Sequence, residues 1–199
     1  DVIKTQKKFK KLNKKFILSV GVFEWRKNFE IILKSVTGLS RSEKKSLEVV
    51  FVSGAKNPSS LEFEEQYKRL AKRAGIKLHC FYEVSNEELA YLYKNCFLFI
   101  FPSFAEGFGL PVLEAIKLGS LALCSNTSAT PEIVNNDENY IFNPKDLPKE
   151  TLKELLVYTY NLGVAKGVIN QSYTFDPNDI PATTLKEMFV NNNYVGGVN

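Results

Sequence analysis

The sequence predicts an α/β fold, a Rossmann-like parallel sheet with helices on both faces. Three observations predict it. Short apolar runs rich in β-formers read as buried strands. The segments between them carry apolar residues at helical period. The two kinds of segment alternate about five times at short spacing, which implies parallel strands joined by crossover helices.

Phe16 to Val22 is expected as the first strand, and Asn28 to Val36, with Phe29, Ile32, Leu33 and Val36, as the first helix. Leu47 to Val52 is the second strand, closed by Ser53-Gly54. Leu61 to Ala74 is a polar helix that stops at Gly75, a natural C-cap position. Ile76 to Tyr82 is the third strand. Asn86 to Asn95 is a helix with Ser85 or Asn86 as N-cap and Glu87 and Glu88 in its first turn. Phe97 to Phe101 is the fourth strand. Leu110 to Leu118 is a helix that tolerates Pro111 in its first turn and ends at Gly119. Leu121 to Cys124 is the fifth strand, Pro131 to Val134 a helical turn, Tyr140 to Phe142 a short sixth strand, and Pro148 to Tyr160 a further helix. After Leu162 the pattern weakens, with a turn at Asp-Pro-Asn-Asp and a last helix expected at Thr183 to Val190. The organisation read from this is a basic linker over 1–15, a Rossmann-like domain over 16–162 and a partly helical extension over 163–199.

At 199 residues the chain is long enough for one good-sized domain and short of two. Hydrophobic residues make up 44% and charged residues 24%, an ordinary globular composition. No run of about 18 apolar residues occurs, so no segment is expected to span a membrane. No secretory signal pattern opens the chain, and a start at Asp1 rather than Met suggests a piece of a longer protein. Cys80, Cys96 and Cys124 sit in or beside apolar runs. Their odd number and wide spacing argue against a disulfide framework or a zinc site and for reduced, buried thiols in a cytoplasmic protein. The net charge is +4 and unevenly placed, with seven lysines and one aspartate in residues 1–15. That stretch holds no Arg and few aromatics, so nucleic acid is not the expected partner. A solvated linker or surface helix is expected, with contact to an anionic membrane surface as the alternative.

In parallel sheets of this kind, ligands bind beyond the C-terminal ends of the strands. The segments there are Gly21–Lys27, Ser53–Lys56, Tyr82–Ser85, Ser103–Gly109 and Ser125–Glu132. Two carboxylates, Glu106 in a Gly-rich loop and Glu114 in the helix it opens, are separated by seven residues. Backbone amides at the helix start suit an anionic centre, and carboxylates on either side accept hydrogen bonds from hydroxyls. A diphosphate-linked ligand with hydroxyl groups at both ends fits that pattern. Arg26 and Lys27 open a helix, where cations oppose the helix dipole, and so make better sense facing a diphosphate; a solvated surface pair is the plain alternative. Glu114, between Leu113 and Ala115, is expected to have an internal partner. Glu132 is read as a helix-start charge and His79, the only histidine, as structural. Gly-x-Gly-x-x-Gly is missing, because Gly107-Phe108-Gly109 lacks its third glycine, and no phosphate-binding P-loop occurs. This counts against a dehydrogenase, a nucleotide-sugar epimerase or an NTPase.

Four segments in this order carry a resemblance: Ser-Val-Gly-Val-Phe-Glu-Trp-Arg-Lys-Asn (19–28), Ser-Asn-Glu-Glu-Leu-Ala-Tyr-Leu-Tyr (85–93), Pro-Ser-Phe-Ala-Glu-Gly-Phe-Gly-Leu-Pro-Val-Leu-Glu-Ala (102–115) and Thr-Pro-Glu (130–132). From about Phe16 to Leu156 the chain resembles the donor-binding half of retaining GT-B glycosyltransferases of the group 1, or family 4, type. The resemblance implies one half of a GT-B fold, a nucleotide-sugar-binding domain, and sugar transfer from a nucleoside-diphosphate donor with retention at the anomeric carbon. It implies that Arg26 and Lys27 hold the donor diphosphate, that Glu106 contacts the donor sugar, and that the amides of Phe108, Gly109 and Leu110 approach sugar and phosphates. It also implies that Glu114 binds the ribose hydroxyls and that Val84 lies near the nucleobase.

No cofactor or metal is expected, since Arg26, Lys27 and the helix start can carry the diphosphate charge and no Asp-x-Asp motif is present. The partners implied are a nucleotide-sugar donor and the acceptor-binding N-terminal half of the same enzyme. The place implied is the cytoplasm, at the inner face of the membrane if the basic stretch makes peripheral contact. The family often carries Gly near Tyr82–Glu83, so base recognition is expected to differ here, and its C-terminal aromatic helix is indistinct after Leu162. A non-catalytic domain of the same fold, binding a nucleotide sugar or a partner, is the alternative, and the intact Lys27, Glu106 and Glu114 count against it.

Overall fold

The computed structural model describes residues 2–10, 12, 15–136 and 140–145. Among the described residues the strands are β1 (Phe16–Val20), β2 (Glu48–Ser53), β3 (Lys77–Tyr82), β4 (Leu98–Phe101), β5 (Ala122–Ser125) and β6 (Ile141–Phe142). They form one sheet in the order β3-β2-β1-β4-β5-β6, with every pairing parallel. The helices are α1 (Val2–Phe9), α2 (Glu30–Ser35), α3 (Arg41–Ser46), α4 (Pro58–Ala74), α5 (Asn86–Asn95), α6 (Leu110–Lys117) and α7 (Thr130–Ile133).

The sheet is apolar on both faces because alternate residues of each strand point to opposite sides. Ile17, Val49, Phe51, Leu98, Ile100 and Leu123 form one core with Ile32 of α2 and Tyr67 and Ala71 of α4. Phe16, Leu18, Val50, Val52, Phe99, Phe101 and Cys124 form the other with Leu92 of α5 and Val112, Ala115 and Ile116 of α6. Continuous apolar runs are what such two-faced strands require. The chain therefore has a Rossmann-like α/β fold, a parallel sheet with helices on both faces.

The basic stretch over 1–15, read as a solvated linker or surface helix, is helical over Val2–Phe9. Phe9 is 2% exposed, with its ring centroid 5.1 Å from that of Phe81 and 5.7 Å from that of Tyr91. Lys8 pairs with Glu88 of α5 at 2.8 Å. Three lysines in eight residues obscure the apolar period, but Phe9 docks the helix on the second core. Helix α3 escaped the sequence reading. It buries none of its residues and stands on a capping box, Ser40 with Glu43, a local signal independent of apolar period. Helix α4 begins at Pro58, three residues before the expected Leu61, because Asn57 caps it by accepting from Ser60 N–H. Ser85, rather than Asn86, caps α5. The helices expected at Pro148 to Tyr160 and Thr183 to Val190, the boundary at 162 and the extension 163–199 lie outside the described residues. Among the described residues no helix is long and apolar enough to cross a membrane.

Strand order reverses between β1 and β4, which are adjacent although β2 and β3 intervene in sequence. Chains leaving their C-terminal ends diverge to opposite faces, and the crevice between them is where doubly wound sheets bind ligands.

Candidate functional site

The loops after β1, β4 and β5 meet at this crevice. The first folds into a 3-10 turn, Trp25–Lys27, ended by Asn28 in the left-handed region at φ 53. Arg26 and Lys27 thus precede α2, where the sequence reading placed them at a helix start. Asn28 tolerates that conformation better than most residues. Its buried amide donates to Pro102 O at 3.1 Å and to Pro144 O at 2.7 Å, joining the ends of three strands.

That turn aims Lys27 inward. Lys27 Nζ lies 2.6 Å from Glu106 Oε1 and 5.6 Å from the Phe101 ring centroid. Its stem runs over Gly21, where a Cβ would come within 3.2 Å of Lys27 Cδ. Arg26 is half-buried. Its Nη2 meets Glu24 Oε1 at 2.7 Å, its Nη1 donates to Ala105 O at 2.7 Å, and Nη1 lies 3.8 Å from Glu106 Oε2. The two cations close on Glu106 and on the loop that carries it.

That loop ends at Gly109, which sits at φ 85 against α7. A Cβ there would stand 2.9 Å from Thr130 Cγ2 and 3.2 Å from Ile133 Cδ1, so the position takes only glycine. Helix α6 starts immediately after it with no side-chain cap and with Pro111, which has no N–H, in its first turn. Val112 N–H donates to Gly109 O at 2.9 Å, which leaves the amides that lead into the helix from the Gly-rich loop without a cap from a side chain. Phe108 is 56% and Leu110 58% exposed at this start. Glu114 lies one turn further along α6. It is exposed, yet it accepts from Tyr93 Oη at 3.1 Å, so it has the expected partner without being buried. Burial, and then the Glu114 charge, push the Tyr93 phenol above its ordinary pKa.

The structure brings together Arg26, Lys27, Glu106 and Gly109, with Phe108, Leu110 and Glu114 following on the same loop and helix. Val84 stands apart. It follows β3, two strands from β1, and packs on the second core. Just before it Glu83 takes φ 49, a conformation that favours glycine, and its N–H donates to Ser53 O at 3.0 Å. His79 pairs with Glu48 Oε2 at 2.9 Å, within the sheet and away from the crevice. Glu132 lies in the first turn of α7. Cys80, Cys96 and Cys124 are free, and burial pushes each thiol up to about 12. Sequence reasoning missed Glu24, Thr127 and Ser128 as individual residues. Their only signal was a hydroxyl-rich run after the fifth strand and a carboxylate two residues before Arg26.

The arrangement can hold a polyanion against two cations and the amides of the Gly-rich loop, with the remaining lone pairs of Glu106 and Glu114 able to accept from hydroxyls on either side. Comparison with known proteins gives the family and the fold. The profile of the family described as glycosyl transferases group 1 matches residues 2–158. The chain is 36% identical over 135 residues to the serotype-specific mannosyltransferase WbdA of Escherichia coli, covering 66% of this chain and 16% of that protein. It is 24% identical over 155 residues to the GDP-Man:Man(3)GlcNAc(2)-PP-Dol alpha-1,2-mannosyltransferase of Dictyostelium discoideum, covering 73% of this chain and 31% of that protein. In fold it is similar to the catalytic domain of the cholesterol-alpha-glucosyltransferase from Helicobacter pylori, with a TM-score of 0.62, 22% identity and coverage of 88% and 97% of the two chains. The chain thus spans less than a third of these two mannosyltransferases.

Proposed function

This chain belongs to the glycosyl transferases of group 1, and from that membership we propose that it is the donor-binding part of a retaining glycosyltransferase. The proposed reaction moves a sugar from a nucleoside-diphosphate donor to an acceptor with the anomeric configuration kept. One observation carries the reading. Lys27 and Glu106, 79 residues apart in sequence, meet at 2.6 Å in the crevice, beside the uncapped start of α6.

In this reading Lys27 supplies a point charge and Arg26 a planar fork to the donor diphosphate. They offset the charge that gathers there as the glycosidic bond breaks. Glu106 faces the donor sugar, and the amides of Phe108, Gly109 and Leu110 approach sugar and phosphates. Glu114 accepts from the ribose hydroxyls, Val84 borders the base, and no metal ion takes part. The mannosyltransferase relatives favour mannose as the sugar, and the one described with GDP-Man favours guanosine diphosphate as its carrier. Trp25, Phe108 and Leu110, exposed at 70%, 56% and 58%, form an apolar rim suited to an acceptor-binding half. Lys7 and Lys10, exposed at the end of α1, suit peripheral contact with an anionic membrane from the cytoplasmic side, where free thiols persist.

Calorimetric titration of UDP, GDP and ADP and their sugar conjugates into the chain tests the reading. Saturable binding of one nucleotide, weakened by Lys27→Ala and Glu114→Gln and unaffected by EDTA, is expected. No binding at millimolar ligand to the chain or to a longer form carrying the acceptor half would sink it.

A further inference from the structure

The loop after β4 is held from outside. Among the described residues, Phe104 N–H donates to Arg26 O at 2.9 Å and Arg26 Nη1 donates to Ala105 O at 2.7 Å. From the other side, Thr127 Oγ1 donates to Ser103 O at 3.0 Å and Glu106 N–H donates to Ser128 Oγ at 3.1 Å. The loop therefore hangs between the 25–27 turn and the β5–α7 connection.

From this suspension we infer that Ser128, supported by Thr127, is a positioning residue that fixes the backbone of Glu106 so that its carboxylate meets Lys27. The β5–α7 connection is built to present that hydroxyl. Thr130 Oγ1 donates to Ser125 O at 2.8 Å and to Thr127 O at 2.6 Å, and Ser125 Oγ lies 3.0 Å from Thr127 Oγ1. Ser128 itself sits at φ 56, in the left-handed region that favours glycine. A side chain is kept where the backbone would prefer none, and its hydroxyl oxygen takes the amide of Glu106. Such conformations persist where the surroundings impose them, often beside functional groups.

The division of labour matters because Arg26 has two tasks. It anchors Ala105 O, and in the proposed reading it also meets the diphosphate. A guanidinium that turns to a ligand releases Ala105 O, while the bonds from Thr127 and Ser128 remain. They keep Glu106 in register in the state in which it is needed. This consequence rests on the donor-site reading, whereas the positioning itself is a property of the chain.

Hydrogen exchange at the Glu106 amide tests it on the whole chain, comparing wild type with Ser128→Gly and Ser128→Ala. Loss of one hydrogen bond is expected to speed exchange there by about tenfold in both variants. The Ser128→Gly variant is expected to hold or gain thermal stability, since glycine relieves the left-handed backbone. Local protection and global stability then part company, which a merely structural role does not produce. Unchanged exchange at Glu106, or acceleration shared by the amides of β1, overturns the inference. A second arm titrates GDP and GDP-mannose. Ser128→Gly is expected to weaken GDP-mannose about tenfold and GDP less than twofold, because Glu106 faces the sugar; equal weakening overturns the inference. If wild type binds neither nucleotide, the exchange arm alone decides the positioning, and the donor-site reading is decided by the full nucleotide series on the chain and on the longer form.

Discussion

Lys27 and Glu106 face one another across the crevice, Nζ to Oε1 at 2.6 Å, and each side chain is only 11% exposed. Two charges so placed stabilise each other, and removal of one strands the other. Lys27→Ala is expected to cost about 3 kcal/mol in urea unfolding. The double variant Lys27→Met/Glu106→Gln is expected to cost less than the two single changes added together, because no unpaired charge remains. Strict additivity would mean the pair is not coupled.

Gly109→Ala separates two penalties. The Cβ meets Thr130 Cγ2 at 2.9 Å, and the backbone sits at φ 85. A loss of about 2 kcal/mol is expected, with loosening of the α6 start. Adding Thr130→Ser removes the methyl group and keeps the hydroxyl that bonds Ser125 O and Thr127 O. Partial recovery in thermal unfolding is the expected result, because the φ penalty remains.

Tyr93 and Glu114 share one hydrogen bond but differ in burial. Tyr93 is 1% exposed, while Glu114 is open to solvent. Tyr93→Phe is expected to cost about 1 kcal/mol of stability and to leave nucleotide affinity within twofold. Glu114→Gln is expected to do the reverse, with little change in stability and a clear loss of affinity. Calorimetry and urea titration on both variants check the split.

Stability should fall on the alkaline side. Burial raises the thiols of Cys96 and Cys124 to about 12, above the value of about 8.5 for a free thiol. The folded chain holds these protons more tightly than the unfolded one. Their stabilisation is therefore complete below about pH 8.5 and is lost as pH rises toward about 12. Unfolding free energies at pH 8 and pH 10.5 are expected to differ in that direction, and less so in Cys96→Ala/Cys124→Ala. At pH 8 both thiols should resist a thiol reagent until denaturant is added.

Phe9 is the one apolar anchor of α1 whose burial is described, 2% exposed against Phe81 and Tyr91. Phe9→Ala is expected to cost about 3 kcal/mol, and Lys8→Ala less than about 1 kcal/mol. Fast proteolysis within residues 1–15 of the Phe9→Ala variant alone would mark the helix as docked through that ring.

The strands were legible because burial on both faces leaves runs such as Phe-Ile-Leu-Ser-Val and Leu-Phe-Ile-Phe with no polar alternation to confuse the reading. The site loops were legible as segments because strand ends in a parallel sheet share one edge. Helix α1 was legible only as one of two readings, a solvated linker or a surface helix, and its docking through Phe9 was not legible; α3 was not, since it rests on a capping box with no buried residue.

The sequence by itself determined the strand–helix alternation, the apolar character of both sheet faces, and the presence of Arg26, Lys27, Glu106 and Gly109 in loops at strand ends with Glu114 in the helix that follows. Only the tertiary structure decided that β1 and β4 are neighbours, and hence that Lys27 meets Glu106 while Val84 lies two strands away. It also decided that Ser128 holds the Glu106 amide and that Arg26 anchors Ala105. Periodicity and caps act within a few residues along the chain. Strand order, and contacts spanning 22 or 79 residues, are set by how the sheet closes on its two cores.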